Sequence, residues 1–183
     1  NARQVGLALF EFETTYGRYP DRATAEEVKT NTESDLNLSG NTANDYFRQL
    51  IAAEIAQSET IFYAKTAFSK KPDDVFDPSV EALKKGEVGF GYIMNGDDGF
   101  SSAGNPARPI IAAPLAYPFQ TGEFDVELYE SKAVILRVDN SVTSIQILKK
   151  KRKAQLPGGK SLLATGTGTL WGTNTNPTMI NPE

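Results

Sequence analysis

The chain contains neither cysteine nor histidine among its 183 residues. A disulfide framework, a thiolate metal site and a cysteine nucleophile are therefore excluded. Without histidine the chain also lacks the commonest general base and the commonest transition-metal ligand, which lowers the expectation of catalysis. A cysteine-free chain is indifferent to redox state, so cysteine usage does not indicate a compartment.

Long apolar runs and a strong charge excess are missing as well. No run of about 18 or more apolar residues occurs in the sequence, so it contains no candidate transmembrane helix. The 19 basic and 23 acidic residues give a net charge of −4, which does not indicate a nucleic-acid partner. A hydrophobic content of 39% over this length suits one globular domain.

The first segment has the periodicity of an amphipathic helix. Apolar residues recur at steps of three and four, which predicts a helix over residues 1–17 with one buried stripe. The members of that stripe are Val5, Leu9, Phe12 and Tyr16. Leu7 and Phe10 lie off the stripe, and we interpret them as positions that contact neighbouring subunits. Gly17 and Pro20 are expected to end the helix, because glycine favours the C′ position and proline blocks continuation.

Later segments change from helical to strand-forming sequence. A capping box from Thr24 to Glu27 predicts a helix start there, and Asn140 is expected to adopt a left-handed conformation in a hairpin. Helical patterns occur at 25–30, 44–57 and 79–85. Strand patterns occur at 61–64, 88–94, 109–115, 133–138 and 142–148. Because the helices precede antiparallel strands, the order predicts an α+β fold.

These elements predict a single domain with four parts, because no repeat and no long linker divides the chain. The parts are the helix at 1–17, a helical and loop insertion at 18–87, an antiparallel sheet at 88–148 and a loop-rich tail at 149–183.

The opening residues resemble a known protein family. RQVGLALFEFETTYGRYP, at residues 3–20, resembles the region after the membrane helix in type IV pilin-like and type II secretion pseudopilin-like proteins, specifically the general secretion pathway G-like branch. Weaker matches in the same order are NDYFRQL at 44–50, KKGEVGFGYI at 84–93, PIIAAPL at 109–115, KAVILRVDNSV at 132–142 and TLWG at 169–172.

The resemblance implies a pilin-like fold, in which a long N-terminal α-helix packs on an antiparallel β-sheet with loop elaborations. It implies a non-enzymatic structural subunit of a type IV pilus or a type II secretion pseudopilus-like assembly, with other pilin-like subunits as partners. An apolar helix upstream of Asn1 would anchor such a subunit in the bacterial inner membrane. The domain would then lie in the periplasm or outside the cell.

Two charged segments are candidate binding sites. Asn95, Asp97 and Asp98 lie in an acidic, glycine-rich turn whose oxygens suit calcium, although the EF-hand spacing is absent and a plain turn is the alternative. A run of five consecutive cations forms the second candidate, a polyanion patch for lipid headgroups or polysaccharide, with a solvated loop as the alternative. Its members are Lys149, Lys150, Lys151, Arg152 and Lys153.

Two other function classes remain open. An extracellular carbohydrate-binding or adhesive surface module would use Trp171, Tyr117 and Tyr129 as stacking surfaces, with a buried Trp171 as the competing interpretation. A hydrolase that relies on acids alone would need a groove with two facing carboxylates. None of the paired acids falls in a recognisable catalytic arrangement, so no catalytic residue is assigned. These pairs are Asp73/Asp74, Asp97/Asp98 and Glu123/Asp125.

Overall fold

The computed structural model describes all 183 residues and contains three α-helices and six β-strands. The α-helices are α1 (Ala2–Tyr16), α2 (Arg22–Thr32) and α3 (Ala43–Ala52), and two short 3-10 helices are Glu59–Phe62 and Tyr129–Ser131. The strands are β1 (Gly91–Asn95), β2 (Pro109–Ala113), β3 (Lys132–Arg137), β4 (Val142–Leu148), β5 (Lys153–Ala154) and β6 (Pro177–Ile180).

The six strands form one antiparallel sheet in the order β5-β4-β3-β2-β1-β6, curled into a half-barrel. The first five strands follow one another as a meander, and β6 returns to pair with β1. All of β2 is buried, whereas β4 buries Ile145 and Ile147 and exposes the residues that alternate with them. The centre of the sheet is therefore covered on both faces and β4 on one.

The predicted pilin-like architecture is wrong. α1 has only 15 residues, and it contacts β3, α3 and the 3-10 helix Glu59–Phe62 instead of lying as a long helix along a sheet. The physical reason for this difference is that α3, which lies between α1 and β1 in the sequence, buries its apolar side chains in the same core cluster as α1. The core therefore forms between three helices and a curled sheet.

The predicted buried stripe of α1 lies in the core. Val5, Leu9 and Phe12 are fully buried, and half-buried Tyr16 stacks its ring on that of Phe12 with centroids 4.4 Å apart. The predicted helix end is also confirmed, because Gly17 has a φ of 78° and its N–H closes the last turn of α1. Local periodicity therefore assigns the inward face of this helix correctly.

The hairpin between β3 and β4 is confirmed and lies against α1. Asn140 has a φ of 62°, in the left-handed region, and β4 has the predicted bounds. At Gly6 the helix approaches the turn so closely that a Cβ would overlap the Asn140 side-chain oxygen and lie 3.2 Å from Leu136. A side chain at position 6 would have to displace the Asn140 amide from this crossing.

Several local predictions are wrong. α2 begins at Arg22, since the capping box pairs Asp21 with Thr24 and does not start at Thr24. The segment at 61–64 overlaps a 3-10 helix instead of a strand, residues 79–85 form no helix, and the tail predicted as loops supplies β5 and β6. The prediction also starts β1 too early, because the Gly89 N–H donates to the Phe62 carbonyl at 3.0 Å and not to a neighbouring strand.

Replacing Leu9 with Ala is expected to lower the free energy of unfolding by roughly 2–5 kcal/mol, because the change leaves a cavity in the core. Leu7→Ala is the matched control on the opposite side of the same helix, where the side chain is 59% exposed, and its effect is expected to stay within about 0.5 kcal/mol. Urea denaturation followed by circular dichroism measures both. Equal losses would contradict the assigned faces of α1.

Candidate functional site

The outward side of α1 borders an apolar cleft, which we call the Leu7 cleft. It has a volume of about 290 Å³ and lies between α1 and the segment that follows α3. Exposed Leu7 shares it with half-buried Ile55 and Ile61, while Gln4 and Glu11 add polar groups. An apolar centre with polar surroundings is the arrangement of a surface that receives an apolar group from another molecule.

Phe10, the second predicted contact residue on α1, packs against a side chain of the same domain. Its half-buried ring meets the fully buried Tyr19 edge to face, with centroids 6.1 Å apart. Burial raises the pKa of the Tyr19 hydroxyl above its ordinary value, and the Glu13 carboxylate adds to the effect, so the ring stays neutral. Of the two predicted contact residues, Leu7 is the more exposed.

The three residues of the predicted calcium turn have different surroundings. The Asn95 side-chain oxygen accepts a hydrogen bond from the Asn176 N–H at 2.7 Å. Asp97 is exposed, and the carboxylate of Asp98 lies 3.9 Å from the Arg18 guanidinium. A group of three acidic side chains whose oxygens lie close to one another is found elsewhere in the molecule.

Three carboxylates meet at the start of the 3-10 helix Glu59–Phe62, one from that helix and two from separate loops, and we call them the acidic cluster. Glu59, Asp73 and Glu87 each offer one oxygen, and these oxygens all lie within 4.8 Å of one another. Glu59 and Glu87 are buried and Asp73 is exposed. Burial raises the pKa of Glu59, and the neighbouring charges of Glu87 and Asp73 add to this effect. The three acids are far apart in the sequence and share no motif, so no local pattern pointed to them.

The run of five cations is divided by the fold. Lys149–Lys151 are exposed in the turn between β4 and β5. The Arg152 guanidinium lies 3.8 Å from the Glu123 carboxylate, and Lys153 donates to the Thr121 carbonyl at 2.6 Å. Three of the five predicted patch residues therefore remain free to contact a polyanion.

The aromatic residues predicted as stacking surfaces differ sharply in exposure. Trp171 is 1% exposed and donates its indole N–H to the Leu162 carbonyl at 2.7 Å, so the interpretation of a buried plug is confirmed. Half-buried Tyr129 donates its hydroxyl to the Lys65 carbonyl at 2.6 Å. Neither side chain presents a fully open ring face.

Tyr117 is the exposed member of the predicted set, with 56% of its surface accessible. Its ring packs against Phe68 and Phe119, with centroid separations of 5.9 Å and 5.4 Å, and we call these three residues the aromatic cluster. Lys70 and Lys85 share a cleft of about 200 Å³ with it. The sequence pointed to Tyr117 but not to its two phenylalanine neighbours.

The paired acids mostly serve as hydrogen-bond acceptors within the fold. Asp74 accepts from the Ser58 hydroxyl at 2.9 Å and from the Glu59 N–H at 2.7 Å. Asp125 accepts from the Glu127 N–H at 2.8 Å, in the turn that follows it. These contacts order the loops in which the two acids lie.

No family model, curated protein or solved structure matches this chain. The pilin-like resemblance therefore rests on the residues that carry it. A separate finding concerns the helices, none of which has both the length and the apolar character needed to span a membrane.

Trp171→Ala is expected to lower the free energy of unfolding by roughly 3–5 kcal/mol, because it empties a large buried volume. Trp171→Phe keeps most of the contact with the Phe100 ring, 5.6 Å away, but leaves the Leu162 carbonyl without its donor, so a smaller loss is expected. Chemical denaturation measures both variants. A Trp171→Ala protein as stable as the wild type would contradict the buried assignment.

Proposed function

We propose that the protein is a non-enzymatic structural subunit of a type IV pilus or a type II secretion pseudopilus-like assembly. The observation that carries the proposal is the exposure of Leu7 beside an apolar cleft on α1. That helix belongs to the segment at 3–20 whose sequence resembles pilin-like proteins. The proposal concerns assembly through α1 and does not depend on the pilin-like packing of helix on sheet, which this fold lacks.

The proposed occupant of the Leu7 cleft is an apolar side chain of a neighbouring pilin-like subunit. Full burial of a leucine side chain is worth about 1.5–3 kcal/mol, and an assembly repeats the contact at every subunit. Ile55 and Ile61 form the apolar wall of the cleft. Glu11 lies at its edge, where polar residues around an interface exclude water from the apolar contact. The same helix thus packs inward through Leu9 and outward through Leu7.

The proposal also assigns a location. An apolar helix of about 20 residues directly upstream of Asn1 in the complete protein anchors the subunit in the bacterial inner membrane. In this proposal the domain formed by residues 1–183 lies in the periplasm or outside the cell, where the Leu7 cleft meets other subunits. A complete protein without such an upstream span would contradict this part of the proposal.

Leu7→Asp in the complete protein is expected to abolish assembly, because a carboxylate in the contact would have to be desolvated without a partner. Val80→Asp is the matched control, since Val80 is 61% exposed and lies outside the Leu7 cleft. Electron microscopy and cross-linking of sheared cell fractions measure assembly. The melting temperatures of both variants are expected to stay close to that of the wild type.

Two results would count against this proposal. Normal assembly by the Leu7→Asp protein would show that α1 does not make the contact. Equal loss in Leu7→Asp and Val80→Asp would show that any added surface charge disrupts assembly, and it would remove the special role of the Leu7 cleft.

The aromatic cluster favours a second candidate function, an extracellular carbohydrate-binding or adhesive module. Tyr117 offers an exposed ring that Phe68 and Phe119 hold in place. Such rigid, amphipathic rings provide large contact area at low entropic cost, and the neighbouring Lys70 and Lys85 offer hydrogen-bond donors. Trp171 takes no part in this surface, because it is buried.

Tyr117→Ala is expected to remove binding on a glycan array without lowering the melting temperature, because the side chain is mostly exposed. Val80→Ala, which changes an equally exposed apolar residue outside this cleft, is expected to keep binding. A wild-type protein that binds no glycan, or a Tyr117→Ala protein that binds as well as the wild type, would contradict this second candidate.

A further inference from the structure

One oxygen in the acidic cluster has no partner although it is completely buried. Glu59 Oε1 accepts a hydrogen bond from the Leu83 N–H at 2.5 Å, whereas Glu59 Oε2 has no hydrogen-bond partner. Glu59 as a whole is fully buried. A buried carboxylate oxygen without a partner is costly, so its retention points to a ligand that satisfies it.

The two other carboxylates are held in place by backbone N–H groups. Asp73 accepts from the Val75 N–H at 2.9 Å, and Glu87 accepts from the Lys84 N–H at 2.6 Å. The second oxygen of Asp73 accepts a hydrogen bond from the Lys84 ammonium at 3.2 Å, and the second oxygen of Glu87 lies 3.9 Å from the ammonium of Lys70. The backbone thus orients one oxygen of each carboxylate, and the other oxygen faces a lysine that a cation would have to replace.

We propose that Glu59, Asp73 and Glu87 bind one divalent cation, for which calcium is the best fit. Their converging oxygens lie within 4.8 Å of one another. Calcium binds oxygen at about 2.3–2.6 Å, so oxygens this close to one another can share one ion. Calcium accepts flexible coordination by protein oxygens, whereas magnesium requires near-ideal octahedral geometry and usually keeps several waters, so a site made of three carboxylates favours calcium. Water completes the coordination and the ion enters beside Asp73, the exposed member of the cluster.

Binding of the ion requires Lys84 to leave Asp73, with which it forms a hydrogen bond. Lys84 also lies 3.3 Å from the Glu81 carboxylate, so its ammonium keeps an anionic partner when Asp73 turns to the cation. Lys70 is more than half exposed and meets Glu87 at the limit of an ion pair. Neither lysine pairs with Glu59, whose charge the cation neutralises.

A cation at this position would connect the two loops that carry Asp73 and Glu87 to the 3-10 helix Glu59–Phe62. Ser58 and Ile61, on either side of Glu59, both line the Leu7 cleft. Binding would therefore stiffen one wall of that cleft. The cation site itself does not depend on the proposed function, since it is assigned from the carboxylates alone.

The test compares the melting temperature of the 183-residue chain in EDTA, in calcium chloride and in magnesium chloride, with calorimetric titration to give the stoichiometry. Calcium at about 100 times its dissociation constant is expected to raise the melting temperature by on the order of 5 °C, with one ion bound per chain. The rise in magnesium is expected to be smaller.

Glu59→Gln separates cation binding from folding. The amide keeps an acceptor for the Leu83 N–H and removes the buried charge, so the variant is expected to be at least as stable as the wild type in EDTA yet to lose the calcium response. Asp73→Asn is a second variant at an exposed position, and it is expected to weaken calcium binding at least 10-fold. Asp97→Asn, in the acidic turn, is the matched control and is expected to respond to calcium as the wild type does.

Three results would overturn the cation site. The first is a wild-type protein whose melting temperature and calorimetric trace are unaffected by calcium and magnesium. The second is a full calcium response in both Glu59→Gln and Asp73→Asn. The third is a response lost in Asp97→Asn and kept in Glu59→Gln, which would move the site to the acidic turn.

Discussion

The buried carboxylate of Asp21 joins the helices to the sheet. One of its oxygens accepts from the Thr24 N–H at 2.8 Å and caps α2, and the other accepts from the Gly99 N–H at 3.0 Å in the loop after β1. Its carbonyl accepts from the buried Gln49 side chain of α3 at 2.7 Å. The bonds to Thr24 and Gln49 are buried, so Asp21 links α2 to α3 and to the loop after β1 where water competes little.

The packing of α1 decides which of its side chains can contact another molecule. The helix is held between β3, α3 and the 3-10 helix Glu59–Phe62, so Val5 and Leu9 are enclosed and only the side that carries Leu7 remains open. The same 3-10 helix supplies Ile61 to the open cleft and Glu59 to the buried acidic cluster. An apolar surface and a charged interior site thus share one short element, and a ligand at the second would order the first.

The candidate sites differ in how far local sequence could reveal them. The apolar stripe and the outward Leu7 follow from helical periodicity, which is a property of neighbouring residues. Burial of Trp171 was one of two interpretations, because its exposure is decided by Leu162 and Phe100. The acidic cluster was not foreseen, since its members belong to a 3-10 helix and two loops that become neighbours only when the chain folds.

By itself, the sequence determined the three helices approximately, four central strands, the glycine that ends α1 and the left-handed turn at Asn140, because each depends on interactions within a few residues. Only the tertiary structure decided that β6 pairs with β1, that residues 59–62 form a 3-10 helix and that α1 is a short helix in a shared core. Long-range hydrogen bonds and burial outweigh weak local preferences at those positions, so periodicity alone could not reveal them.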